Sequence, residues 1–207
     1  MSYVLVPGAG GDPWYWHRLV PLLDDAVSVE LPAADHSAGW ADYADIIVAA
    51  CHGRSDITLV AQSMGGFSAP LVCDRVDVRR LVLLNAMIPL PGETFGEWWS
   101  NTRQHEAMIG PFDERETFFH DVPAELTAEA FSRPMPDQAE ITEPWPRAAW
   151  PDVRTEVVAG ADDRLFPPEF QRRVAKERLD LDVTVLPGGH LMALSRPEPL
   201  AAFLKGL

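Results

Sequence analysis

The sequence predicts an α/β protein: a mostly parallel sheet of about six strands with helices on both faces and a short helical lid. Three observations predict it. Short apolar runs without polar alternation recur along the chain, as expected of strands covered on both faces. Between many of them stand segments with apolar residues at helical spacing. Three polar groups, Ser63, an acid at Asp162 or Asp163, and His190, each follow one of the apolar runs. Open α/β sheets place their sites at that edge.

Residues 3–6 are the first apolar run, and the glycine-rich loop 7–11 follows it. Asp12 is placed to cap a helix opened by Pro13 that carries Trp14, Trp16, Leu19, Val20 and Leu23, with Pro21 shortening or kinking it. The loop lacks G-x-G-x-x-G and G-K-[ST], which argues against nucleotide binding. Residues 27–31 read as a second strand ending at Pro32. A helix over about 40–50 has Tyr43, Ile46, Ile47 and Ala50 on its apolar face.

Residues 56–60 are a third strand, running into Ala61-Gln62-Ser63-Met64-Gly65-Gly66 and an apolar helical segment, 67–73, that Pro70 is expected to bend. Strand, tight turn with serine at its apex, then helix is the layout of a nucleophile elbow. Ala61 stands where G-x-S-x-G has its first glycine, and its small side chain still leaves room for strand and helix to cross. The plainer reading of this stretch is a strand–helix turn with a capping serine.

Residues 80–84 are a fourth strand, and the alternation then breaks. Residues 87–150 hold many prolines and aromatics, no clear strand, and short helices at about 95–103 and 126–131. This stretch is expected to be a lid or cap excursion, with 1–86 and 151–207 forming the sheet core of a single domain. Most of its aromatics are expected to bury for stability. Met87, Trp98, Trp99 and Phe119 are the candidates for a substrate pocket. The rhythm resumes with a strand at 154–159, a helix at about 168–178, a last strand at 183–186, the turn Pro187-Gly188-Gly189-His190, and a closing helix at about 197–205 with Leu200, Phe203 and Leu204 facing in.

Composition bounds the function. A chain of 207 residues, 47% hydrophobic and 23% charged, has an ordinary globular make-up and the length of one domain. Its net charge of -14 argues against nucleic acid or an anionic membrane surface as partner. No stretch approaches the length of a transmembrane helix. No basic leader precedes the first strand, so no signal peptide is expected. Cys51 and Cys73 both read as free thiols of apolar helical contexts, consistent with a cytoplasmic, reducing location.

Taken together, Val6-Pro7-Gly8-Ala9-Gly10, the Ser63 turn, Gly160-Ala161-Asp162-Asp163 and Gly188-Gly189-His190 resemble the α/β-hydrolase superfamily, and within it the small serine esterases of the plant methylesterase and hydroxynitrile lyase-like group and their bacterial relatives. The chain order Ser, Asp, His agrees. The resemblance spans 4–204, although the group's two early strands have no counterpart. It implies the α/β-hydrolase fold and hydrolysis of a small carboxylic ester through an acyl-enzyme. Ser63 is then the nucleophile and His190 the base. The group's G-x-x-D-x-x-x-P spacing fits Gly160, Asp163 and Pro167, and so favours Asp163 over Asp162 as the acid.

The same resemblance assigns the backbone N–H groups of Ala9 and Met64 to an oxyanion hole. Pro7 stands where the group usually has histidine, which removes a side-chain brace from that loop. No metal or organic cofactor is implied. The expected partner is a small-molecule ester, and the chain is expected to be a monomer or homodimer. One alternative is a non-catalytic small-molecule receptor on the same scaffold. Another is a hydroxynitrile lyase-like enzyme, against which stand Leu191 and Gly8, where those enzymes carry lysine and threonine.

Overall fold

A computed structural model of the chain describes residues 1–134 and 137–207. Its centre is a six-stranded sheet, all parallel, in the order β2-β1-β3-β4-β5-β6, from β1 (Ser2–Val6), β2 (Ala26–Ser28), β3 (Ile57–Gln62), β4 (Val78–Leu84), β5 (Thr155–Gly160) and β6 (Val183–Leu186). The apolar runs show no polar alternation because both faces are covered. Val4, Leu59, Leu81 and Val157 join one core cluster, and Leu5, Val60, Val82 and Val158 join the other.

Helix α1 (Trp40–Cys51) covers the first face together with α2 (Gly65–Ser68). α1 buries Trp40, Tyr43, Ala44, Ile47 and Cys51, so its apolar face is turned slightly from the one that the spacing predicts. Between β4 and β5 stand, among the described residues, four short helices: α3 (Phe95–Asn101), α4 (Gln104–Ala107), α5 (Glu114–Phe118) and α6 (Ala124–Ser132). Residues 87–150 form no strand among the described residues; Met135 and Pro136, part of the expected excursion, lie outside them. α7 (Pro168–Leu179), α8 (Met192–Ser195) and α9 (Pro197–Lys205) complete the chain, and α9 buries Leu200 and Leu204 with Phe203 only partly covered. No helix is long and apolar enough to cross a membrane among the described residues.

Several expected elements are corrected by the structure. The helix after Asp12 is two 3-10 turns, Pro13–Trp16 and Val20–Leu22. Pro21 lacks the N–H that a continuing helix needs, and its ring clashes with the preceding turn. Asp12 does cap, accepting the Trp14 N–H at 2.8 Å. Pro70 likewise converts the end of α2 into a 3-10 turn over Ala69–Val72. β2 ends three residues early, although the Val29 N–H still donates to Leu5 (2.9 Å). α4, α5 and α8 have no sequence counterpart, since one turn of helix carries too little periodicity to read.

Cys51 and Cys73 are free. Burial pushes both thiols up, Cys73 to about 12. At pH 8 roughly one part in 10⁴ of Cys73 is thiolate, the reactive form. Iodoacetamide at pH 8 should therefore leave the native protein almost unlabelled and modify both cysteines in urea. Prompt native labelling of Cys73, read by intact mass, would contradict this burial.

Candidate active site

The sheet order sets where the site stands. From β1 the chain crosses to β2 over the face that buries Trp16 and Leu19, then returns through α1 on the other face to β3. The loops leaving β1 and β3 diverge to opposite sides, opening a crevice at the carboxyl ends of those two strands. Ser63 follows β3 at that point, on a backbone with φ 51°. Positive φ costs a non-glycine residue about 1–3 kcal/mol and is characteristic of a strained functional turn.

Close packing holds the turn. The Ser63 N–H donates to Leu84 (3.3 Å), and the Ser63 carbonyl accepts from Met87 (2.9 Å) and Gly66 (3.1 Å). A side chain on Gly66 would collide with the Met87 carbonyl, and one on Gly65 would come within 2.9 Å of the Pro7 carbonyl. The glycines after the serine therefore let the turn pass between β4 and the β1 loop. That loop presses on the serine from the other side: a Cβ on Gly8 would lie 2.8 Å from the Ser63 Cβ.

His190 enters from the loop after β6 and is 2% exposed. Its Nδ1 stands 2.8 Å from Asp163 Oδ2. Asp163, wholly buried, has its other oxygen, Oδ1, accepting the N–H groups of Leu165 and Phe166 at 2.9 Å each. With Asp163 acting as acceptor, Nδ1 carries the proton and Nε2 presents a lone pair. Asp162 points to solvent. Asn85, at the end of β4 with φ 45°, donates to the carbonyls of Gly189 (3.0 Å) and His190 (3.1 Å) and accepts from Gly160 (2.7 Å). One buried amide thus joins the β4, β5 and β6 ends. Gly160 admits the β6 loop, since a Cβ there would strike the Gly188 and Gly189 carbonyls.

A family model described as the alpha/beta hydrolase family matches residues 3–203. The chain belongs to the alpha/beta hydrolase family. A search of curated proteins finds no match. Among solved structures, the chain is similar to a pyrethroid hydrolase from Sphingobium faniae JZ-2, with 22% identity and TM-score 0.77, covering 100% of this chain and 96% of that one. It is similar to polyneuridine aldehyde esterase at 18% identity and TM-score 0.80, covering 99% and 98%. It also resembles an extracellular α/β-hydrolase from a Paenibacillus species at 17% identity and TM-score 0.78, covering 100% and 98%. The likeness to these structures is one of fold.

On this hydrolase scaffold the expected residues divide. Asp163 and His190 are in contact, and Ser63 stands at the same sheet edge. Among the described residues no hydrogen bond joins the Ser63 hydroxyl to the His190 ring, and none engages the N–H of Ala9 or Met64. Trp98 is buried in the core, its indole N–H bound to the Ile88 carbonyl (3.1 Å) and its ring against Phe166 and Phe170. Met87 and Phe119 are also buried, and Trp99 is partly exposed.

The rings nearest His190 are Phe118 and Phe166, with centroids 5.3 and 5.2 Å away. Neither is singled out by a sequence pattern: Phe118 ends a one-turn helix, and Phe166 follows Asp163 by three residues as an ordinary apolar side chain. A cleft of about 610 Å³ lies elsewhere. Trp150, Arg154 and Thr155 line it together with the end of α7, at the amino-terminal edge of the sheet. That is the opposite edge from Ser63.

Proposed function

We propose that the protein is a serine hydrolase of small carboxylic esters, with Ser63, His190 and Asp163 as its triad. The hydrogen bond between His190 Nδ1 and Asp163 carries this reading, because it leaves Nε2 as the base on the edge where the strained Ser63 turn stands. Ser63 Oγ attacks the ester carbonyl carbon while Nε2 takes its proton. The ester C–O bond breaks as the imidazolium returns that proton to the departing alkoxide, leaving an acyl-enzyme. Water repeats the sequence, giving its proton to Nε2, and the carboxylic acid leaves as Ser63 recovers its hydrogen. The serine–histidine hydrogen bond is commonly long in free hydrolases and tightens with substrate.

The unengaged N–H groups of Ala9 and Met64 act as the oxyanion donors. Gly8 lying against Ser63 supports that assignment. Phe118 and Phe166 wall the base with apolar surface, which favours esters with an apolar body, and residues 87–150 serve as the lid that brings Phe118 there. The similar structures include an esterase and a pyrethroid hydrolase, which agrees with this substrate class.

The test is hydrolysis of p-nitrophenyl acetate and butyrate. The wild type should turn over, and Ser63→Ala should lose on the order of 10³-fold or more in kcat/KM with its fold intact. A folded wild type that is inert toward both esters would sink the proposal in favour of a binding protein on the same scaffold.

A further inference from the structure

We infer that Gln138 and Asp121, both from the 87–150 segment, are positioning residues that hold the two loops on which the proposed hydrolysis depends. The inference rests on the triad reading above. The Gly10 N–H, one residue beyond Ala9, donates to Gln138 Oε1 at 3.1 Å. The Gly189 N–H, one residue before His190, donates to Asp121 Oδ2 at 2.7 Å. The same segment therefore grips the backbone immediately beside an oxyanion donor and immediately beside the base.

Each grip is itself fixed. The Gln138 amide donates through Nε2 to the Tyr43 hydroxyl on α1 (3.1 Å) and to the Ala139 carbonyl (2.8 Å). The Ala139 N–H donates in turn to Ala33 (2.6 Å). Gln138 thus refers the loop after β1 to a rigid helix, at the loop where Pro7 supplies no side-chain brace. Gly10, with φ 83°, holds a conformation that a flexible loop would readily leave. Fastening it restricts the direction of the neighbouring Ala9 N–H.

At the other loop, Gly189 is glycine because a Cβ would come within 2.6 Å of Asp121 Oδ1 and 2.9 Å of His120 Nε2. Those two atoms are buried with no hydrogen-bond partner among the described residues. A buried polar atom left unpaired costs about 1–3 kcal/mol, so stability alone does not select an aspartate here. A charge-assisted bond to the Gly189 N–H is roughly twice as strong as a neutral one, and it holds the loop that aims the imidazole. The neighbouring Phe118 ring lies tilted against His190 from the same segment.

Gln138→Met and Asp121→Leu each delete the acceptor. Each should lower kcat on p-nitrophenyl butyrate by about 10–100-fold, with KM changed less than about threefold, since a misplaced donor or base acts on the transition state. Asp121→Asn keeps an acceptor oxygen and should recover most of the rate. Tyr43→Phe, a milder change that removes only the anchor of Gln138, should lower kcat by a few-fold. Amide hydrogen exchange supplies a readout independent of turnover: protection should fall at Gly10 in Gln138→Met and at Gly189 in Asp121→Leu.

An active, Ser63-dependent wild type whose Gln138→Met and Asp121→Leu variants keep full kcat would overturn the positioning roles and leave the triad standing. Unchanged exchange at both glycines would overturn them as well. An inert wild type would instead remove the triad reading, and the positioning roles with it. Should Asp121→Leu fail to fold, a tenfold loss in Gln138→Met or a few-fold loss in Tyr43→Phe, at an unchanged Tm, carries the same weight, and its absence counts against the inference.

Discussion

Asp163→Asn is expected to lower kcat on p-nitrophenyl esters by about 10⁴-fold while leaving the fold and KM nearly unchanged. The reason lies in how Asp163 is held. Its Oδ1 accepts two backbone N–H groups, from Leu165 and Phe166, each at 2.9 Å. An asparagine in this place keeps its carbonyl oxygen on those donors, because turning the amide over would set N–H against N–H. Its NH₂ then faces His190 Nδ1, where the carboxylate Oδ2 stood at 2.8 Å. The ring must answer as an acceptor at Nδ1 and carry its proton on Nε2. In that tautomer it cannot take the proton of Ser63. Asp162→Asn, one residue away but exposed, should stay within about twofold of wild type. An Asp163→Asn enzyme as active as wild type would remove Asp163 from the mechanism.

Glu93→Ala is expected to cost about 3–5 kcal/mol of stability. Glu93 and Arg178 are buried partners, their side chains 3% and 6% exposed. Glu93 Oε1 takes Arg178 Nη2 (2.9 Å) and Asn101 Nδ2 (2.8 Å), and Oε2 takes the Leu90 N–H (3.1 Å) together with Arg178 Nη1. Alanine leaves a guanidinium charge in the interior with the Ile88 carbonyl as its remaining partner. Two further donors are orphaned beside it. Replacing both partners, as in Glu93→Met with Arg178→Leu, removes the charge along with its counter-ion and should cost clearly less than Glu93→Ala. Guanidinium unfolding of the three proteins tests this. A double variant as unstable as the single one would show that the network acts through packing rather than charge. The pair clamps the start of the 87–150 segment to α7, so Glu93→Ala should also expose that segment to proteolysis before the sheet unfolds.

The strands, their mostly parallel stacking and the edge that carries the site were legible because each rests on local chemistry. A strand covered on both faces must be apolar at every position, and 3–6 and 80–84 are so or nearly so. Ser63, Asp163 and His190 stand directly after such strands, so their common edge follows from the topology. The structure adds the hydrogen bond that separates Asp163 from Asp162, which spacing alone distinguishes only through resemblance. The 3-10 turns at Pro21 and Pro70 show where proline overrode an apolar pattern that otherwise reads as helix.

Within 87–150 the sequence was nearly silent. Phe118, Asp121 and Gln138 reach the site from one-turn helices and irregular backbone, which have no period to read. Their partners, His190, Gly189 and Gly10, are 68 or more residues distant along the chain, and no local rule links residues so far apart. The roles of glycine divide in the same way. Gly65 and Gly66 are called for by the turn they follow, whereas Gly189 is glycine because an aspartate from a remote segment occupies the space of a side chain. The amino-acid sequence by itself determined the sheet, its order of strands and helices, and the three polar groups at its carboxyl edge, since these depend on neighbours along the chain. Tertiary packing alone decided which side chains surround those groups and which hold them, since that depends on contacts made only after the chain has folded.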